Sequence, residues 1–174
     1  MLNIALILIT SLTLMAGTTW ADEIAVPMAT VTADGKGQAV GTITVADTPY
    51  GALFTPQLNQ LPPGLHGFHV HAKGDCGPAT KDGKTVPGLA AGGHLDPSGT
   101  MRHEGPYGNG HLGDLPPLYV DADGRSTMPV LAPRLKAADV RYRSLMIHAG
   151  GDNYADQPAA LGGGGARLAC GVAR

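Results

Sequence analysis

The sequence predicts an all-β domain, a sandwich or flattened barrel of about eight short antiparallel strands with two long functional loops. Three observations carry this. Val-, Ile- and Thr-rich runs of strand length recur along the chain. Among 174 residues, 26 are Gly and 14 are Pro, which favours turns over helices. Asp-Gly pairs stand between apolar runs at 34–35 and 123–124. Asp-Gly suits two-residue hairpin turns because both central positions need positive φ.

Taken in order, residues 24–32 and 38–45 are expected strands joined as a hairpin through Asp34-Gly35. Residues 50–54 and 67–71 read as further strands. Residues 118–120 and 126–131 flank Asp123-Gly124 and form a second hairpin candidate. Residues 145–148 and 167–172 are short strands near the end, and only residues 135–140 leave room for a helical turn or two. Two irregular stretches remain, 72–117 and 149–166, the second ending in Gly162-Gly163-Gly164-Gly165. Loops this long in a compact domain are functional or disordered. Bound metal and a disulfide would favour order.

Residues 2–15 are uncharged and mostly apolar, too short to span a bilayer, and are followed by small residues and Ala21-Asp22-Glu23. This reads as a secretory signal peptide, residues 1–21, cleaved after Ala21. No Lys or Arg precedes the apolar run, so the α-amino group alone supplies positive charge; an uncleaved anchor is the alternative. No cysteine lies near the junction, so a lipid-anchored form is not supported. Residues 22–174 then suit one domain with a single core. The formal net charge is −2 with no basic stripe, so nucleic-acid binding has no electrostatic support. Cys76 and Cys170 are an even pair in an exported chain and read as a disulfide, with two buried thiols as the alternative.

Chemistry concentrates in one set of residues. Six of the seven histidines, His69, His71, His94, His103, His111 and His148, fall with Asp114 at metal-ligand spacing. Four imidazoles suit a tetragonal copper site, and three imidazoles with a carboxylate make a closed tetrahedral zinc site. Two such sites need more ligand slots than these residues supply singly. One histidine using both ring nitrogens closes the gap, which points to a two-metal centre and redox chemistry. His69 and His71 share a strand face while Phe68 and Val70 point to the core. His66 falls on the other face and reads as a backbone-bonded brace. His111 and Asp114, three apart, can converge on one ion. Asp152, four residues after His148, is a candidate acceptor for an outer imidazole N–H or an ordinary loop aspartate.

The motifs around these residues resemble the copper/zinc superoxide dismutases. Gly64-Leu65-His66-Gly67-Phe68-His69-Val70-His71 and Gly92-Gly93-His94-Leu95-Asp96-Pro97 carry the resemblance. So do Gly110-His111-Leu112-Gly113-Asp114-Leu115-Pro116 and Arg167-Leu168-Ala169-Cys170-Gly171-Val172. Residues 149–154 and the glycine run look like the bacterial, exported branch. The resemblance implies a Greek-key topology and disproportionation of superoxide to dioxygen and hydrogen peroxide. It implies copper on His69, His71, His94 and His148, and zinc on His94, His103, His111 and Asp114. His94 would be the bridging imidazolate and a proton carrier. Asp152 would link both metal sites through outer imidazole nitrogens, Cys76–Cys170 would be an intrasubunit disulfide, and Arg167 would guide superoxide. A periplasmic enzyme, monomer or homodimer, follows.

One departure bears on substrate capture. Residues 149–166 contain no lysine, and the net charge opposes an anion at long range. Attraction is therefore expected to be local, from Arg167 and from Lys73, Lys81 or Lys84. Two rival functions fit these residues less well. A copper carrier has little use for an anion guide beside its ligands. A zinc hydrolase needs an open zinc position that a His3Asp set does not leave.

Overall fold

The computed structural model describes residues 23–174. The expected signal peptide lies outside the described residues. Eleven strands run in chain order: β1 (Ile24–Thr30), β2 (Ala39–Thr48), β3 (Gly51–Leu58), β4 (Gly64–His66), β5 (Phe68–His71), β6 (Ala79–Lys81), β7 (Lys84–Val86), β8 (Leu118–Val120), β9 (Val130–Ala132), β10 (Ser144–His148) and β11 (Arg167–Val172). One helical turn, α1 (Ala137–Val140), lies within the stretch where the sequence left room for it. No helix among the described residues is long and apolar enough to cross a membrane.

Seven strands form one curled antiparallel sheet in the order β5-β10-β11-β1-β2-β3-β9. The last strand returns to lie beside the first, so β11-β1-β2-β3 has the Greek-key spatial order. β4 and β8 pair separately, completing an all-β fold of the expected class. Alternation sets the core. Ile24, Val26 and Met28 of β1, Ile43 and Val45 of β2, and Phe54 of β3 pack inward with Phe68, Val70, Leu145 and Ile147. Phe54 and Phe68 meet edge to face at 5.6 Å between ring centroids.

The first hairpin forms as expected: Ile24 pairs with Val45 and Met28 with Gly41, with a register shift after Met28. The second candidate does not. Asp123-Gly124 sits in a tight turn closed by Gly124 N–H to Asp121 O. β8 then pairs with β4 and β9 with β3, so the chain leaves the turn in two directions. The strand also begins later than expected, because Ser126 makes only a single bridge, to Leu58.

Residues 72–117 are less irregular than the sequence suggests. β6 and β7 form a hairpin with Lys81 opposite Lys84. Its two-residue turn is Asp82-Gly83, at φ +51° and +72°, the conformation that Asp-Gly selects. That signal is in the sequence, and the pattern reading passes over it because the flanking residues are exposed rather than apolar. Cys76 is bonded to Cys170 with a Cα–Cα distance of 5.7 Å, which ties this long connection to β11.

Candidate metal centre

The centre is built on the face of β5 and β10 turned away from the core. Because side chains alternate, Phe68 and Val70 enter the core while His69 and His71 stand on the other face. Met146, opposite His69, shares that outer side with Cys170. His148 ends β10 where its N–H bonds to Gly67 O. The outer edge of β5 is covered by two short pieces of the long connection. Leu95 N–H donates to Val70 O and Val70 N–H to Gly113 O. These ladders bring His94 beside His71 and Asp114 beside His69. All six histidines and Asp114 are buried, at 8 % exposure or less.

Two donor groups result. Donor atoms of His69, His71, His94 and His148 lie within 4.8 Å of one another. On the far side of His94, Asp114 Oδ1 lies 2.9 Å from His94 Nδ1, 3.0 Å from His103 Nδ1 and 3.4 Å from His111 Nδ1. His69 also falls within 4.8 Å of the donors of His94, His103 and Asp114. Its Nε2, however, is taken by Asp152 Oδ2 at 2.8 Å, which leaves Nδ1 for the first group.

The outer nitrogens are pinned. His71 Nδ1 faces Gly92 O at 2.9 Å, and His148 Nδ1 faces Gly165 O at 3.3 Å. Asp152 spans both groups: Oδ2 takes His69 Nε2, and Oδ1 takes His103 Nε2 at 2.7 Å. The inner nitrogens have no hydrogen-bond partner among the described residues: His69 Nδ1, His71 Nε2, His94 Nε2, His148 Nε2, His103 Nδ1 and His111 Nδ1. Buried polar nitrogens left without partners are costly in an ordinary core. A bound cation in each group removes that cost, so the residues fit two metal ions. His94 is the one ring with both nitrogens turned inward, one to each group.

Electrostatics divide the groups. Burial pushes the His69 imidazole down to about 3, against the opposing pull of Asp152. Burial, with the charge of His94, brings His71 to about 2, and burial lowers His148 to about 4. These rings stay neutral at pH 7, as metal ligands must. Burial also works against protonation of His103, but the facing carboxylates, Asp114 beside Nδ1 and Asp152 accepting from Nε2, outweigh it and raise the ring to about 9. Burial tends to raise Asp114 and Asp152, yet bonds to His103, and to His94 and His69 respectively, hold both carboxyls well below the usual range.

His66 is buried with Nδ1 2.7 Å from His148 O and Nε2 2.8 Å from Pro62 O. It braces backbone and contributes no donor atom to either group, as the strand alternation suggested. Arg167 donates to Gly88 O and Gly92 O, so its guanidinium is fixed beside the carbonyl that holds His71. Sequence reasoning missed Asp156, whose Oδ2 accepts the His103 N–H at 2.9 Å. It also missed Arg134, which donates to four carbonyls between Gly105 and His111. Neither residue sits in a motif, and both act on backbone, which leaves no side-chain pattern to read.

The result is an all-β protein with two adjacent clusters of buried donor atoms, each able to hold a metal ion. The copper/zinc superoxide dismutase family model matches residues 39–173. A copper-zinc superoxide dismutase of Salmonella typhimurium is 61 % identical over 148 residues, covering 84 % of this chain and 86 % of the relative. The solved copper/zinc superoxide dismutase of Brucella abortus superposes with a TM-score of 0.86 at 51 % identity, covering 88 % of this chain and all of that one. The solution structure of the monomeric enzyme from Salmonella enterica gives 0.79 at 58 % identity, covering 88 % of this chain and 100 % of that one. The chain belongs to the copper/zinc superoxide dismutase family. It is an oxidoreductase that disproportionates superoxide, with copper and zinc as its cofactors.

Proposed function

We propose that His69, His71, His94 and His148 hold copper, that His94, His103, His111 and Asp114 hold zinc, and that His94 bridges the two. The observation that carries this is the pairing of inner and outer nitrogens. Each of His69, His71, His103 and His148 has one ring nitrogen pinned to a carbonyl or to Asp152. Only His94 offers both nitrogens to the interior. Four imidazoles suit copper, and three imidazoles with a carboxylate suit a structural zinc.

Copper, when bound, supplies the one-electron oxidation and reduction that turn two superoxide anions and two protons into dioxygen and hydrogen peroxide. The protein's residues do the rest. His94 Nε2 can hold a proton on the copper side while Nδ1 stays fixed in the Asp114 group, so the ring delivers its proton without losing its place. Asp152 orients His69 and His103 at once and so keeps the two halves in register. Arg167 keeps its positive charge, although burial lowers its pKa, and presents it beside the His71–Gly92 contact to draw in a small anion.

The uncharged run at residues 2–15 supports export, and relatives of this chain come from Gram-negative bacteria. A periplasmic enzyme is the reading we favour, as a monomer or a homodimer. Native mass measurement gives subunit and metal counts together. The test of function is dismutation by the metal-loaded protein, with and without a copper chelator. Activity that survives complete copper removal would exclude the copper assignment. His94→Ala is expected to lose the shared centre and most of the turnover. Near-full turnover with both metals still bound would refute the bridge.

A further inference from the structure

We propose that Arg134 is a positioning residue for the zinc half of the centre. Its guanidinium holds residues 105–111 in the conformation that presents His111 between His103 and Asp114. The inference rests on the assignment of zinc to His94, His103, His111 and Asp114.

Arg134 is anchored at its root. Ala132 closes β9 against Ala52 of β3, and Leu135 is buried with its N–H on Ala132 O. Leu135 O in turn accepts the Ala52 N–H. The Cα of Arg134 is therefore held between the sheet edge and a core side chain. From there the guanidinium reaches across to one loop. Nε donates to Pro106 O at 3.1 Å, and Nη1 to Gly110 O at 3.1 Å. Nη2 donates to Gly105 O at 3.1 Å and to His111 O at 2.6 Å. Four carbonyls of one segment thus converge on one planar cation, a fit that a forked donor makes and a point charge cannot.

The segment needs this. It closes on itself through His111 N–H to Arg102 O, and through Asn109 N–H to Glu104 Oε2. Both contacts bind its N–H groups and leave its carbonyls directed inward. Without a central donor those carbonyls would repel one another or turn to water, and His111 would move with them. The copper group has no such dependence, because His69, His71 and His148 stand on β5 and β10 and His94 is bridged directly to His71 of β5. Arg134 therefore acts on zinc and not on copper. It acts through backbone, by lowering the cost of ordering the loop that a zinc ion would otherwise bear.

The experiment is equilibrium transfer of each metal from the copper- and zinc-loaded protein to graded chelator, for the unsubstituted protein and for Arg134→Gln, Arg134→Lys and His111→Ala. We expect Arg134→Gln to hold zinc about 10- to 100-fold less tightly, the scale of lost outer-sphere support. Copper retention should match the unsubstituted protein, which also reports that the variant is folded. Arg134→Lys keeps the charge but not the fork, and should fall between the two. Zinc held by Arg134→Gln as tightly as by the unsubstituted protein would overturn the proposal, as would an equal loss of both metals. If Arg134→Gln does not fold, unchanged zinc affinity in Arg134→Lys overturns it in the same way. If His111→Ala keeps zinc, the zinc assignment itself fails. If His111→Ala loses zinc and Arg134→Gln does not, only the role of Arg134 fails.

Discussion

At the scale of single residues, the centre depends on glycine as much as on histidine. Gly162 has φ +71°, and a Cβ there would lie 2.1 Å from Asp152 Oδ1 and 2.8 Å from His103 Nε2. Gly162→Ala should therefore drive Asp152 off His69 and His103, and weaken metal binding by about 10- to 100-fold, as Asp152→Ala would. Chelator competition on both variants checks this; tight metal binding by Gly162→Ala would show that the loop yields without disturbing Asp152. His103 sets a pH dependence. Its folded pKa of about 9 lies above the ordinary 6.5. In zinc-free protein its contribution is complete below pH 6.5 and is lost as pH rises through 9. Asp114 and Asp152, depressed below 3.8, contribute at all pH values above that and lose their effect in acid. Thermal unfolding of chelator-treated protein should show a lower Tm at pH 9 than at pH 6, and His103→Gln should flatten the difference. The candidate ligands were legible in the sequence because few residue types bind metal and they cluster here. The roles of their individual nitrogens were not, since these follow from contacts with Gly92, Asp152 and Gly165, far off in the chain.

At the scale of elements, strand alternation explains why one short strand serves both core and site. β5 gives Phe68 and Val70 to one face and His69 and His71 to the other. Strands with strong apolar patterns, such as β1, β2 and β10, were readable from sequence. β6 and β7 were not, because exposed strands carry no apolar alternation and only their Asp82-Gly83 turn betrays them. The Asp123-Gly124 turn shows the opposite error: a genuine turn does not oblige its flanks to pair, and here β8 takes β4 and β9 takes β3 as partner. The long connection of residues 72–117 is held by few strand contacts, so the disulfide matters. It closes a loop with a sequence separation of 94. Cys76→Ser should lower stability by about 4–5 kcal/mol in the chain-entropy account, measured by denaturant unfolding of the metal-loaded protein. A loss well under that figure would mean that metal and β5 contacts already order the connection.

At the scale of the whole molecule, substrate capture sets a puzzle, because an enzyme of net charge −2 must attract an anion. The three candidate lysines are not equivalent in the fold. Lys81 and Lys84 project from the exposed β6–β7 hairpin. Lys73 lies closer in: its Cγ is 3.7 Å from the position a Cβ would take on Gly92, whose carbonyl binds Arg167. Lys73→Ala is therefore expected to reduce the ionic-strength dependence of the dismutation rate more than Lys81→Ala or Lys84→Ala. Equal salt dependence in all three variants and the unsubstituted protein would remove lysine steering from the account.

From the chain alone came the all-β class, the seven candidate metal ligands, the cysteine pair and the expectation of a shared ring. Each of these depends on residue type or on a short repeat, and both are printed in the chain. Tertiary structure alone decided which way β8 and β9 pair, that Asp156 accepts the His103 N–H, and that Arg134 gathers the carbonyls of residues 105–111. These depend on backbone atoms, brought to side chains 23 to 53 residues away in the chain in the case of Arg134 and Asp156. A backbone carbonyl is the same in every residue, so nothing in the sequence marks the ones the site uses.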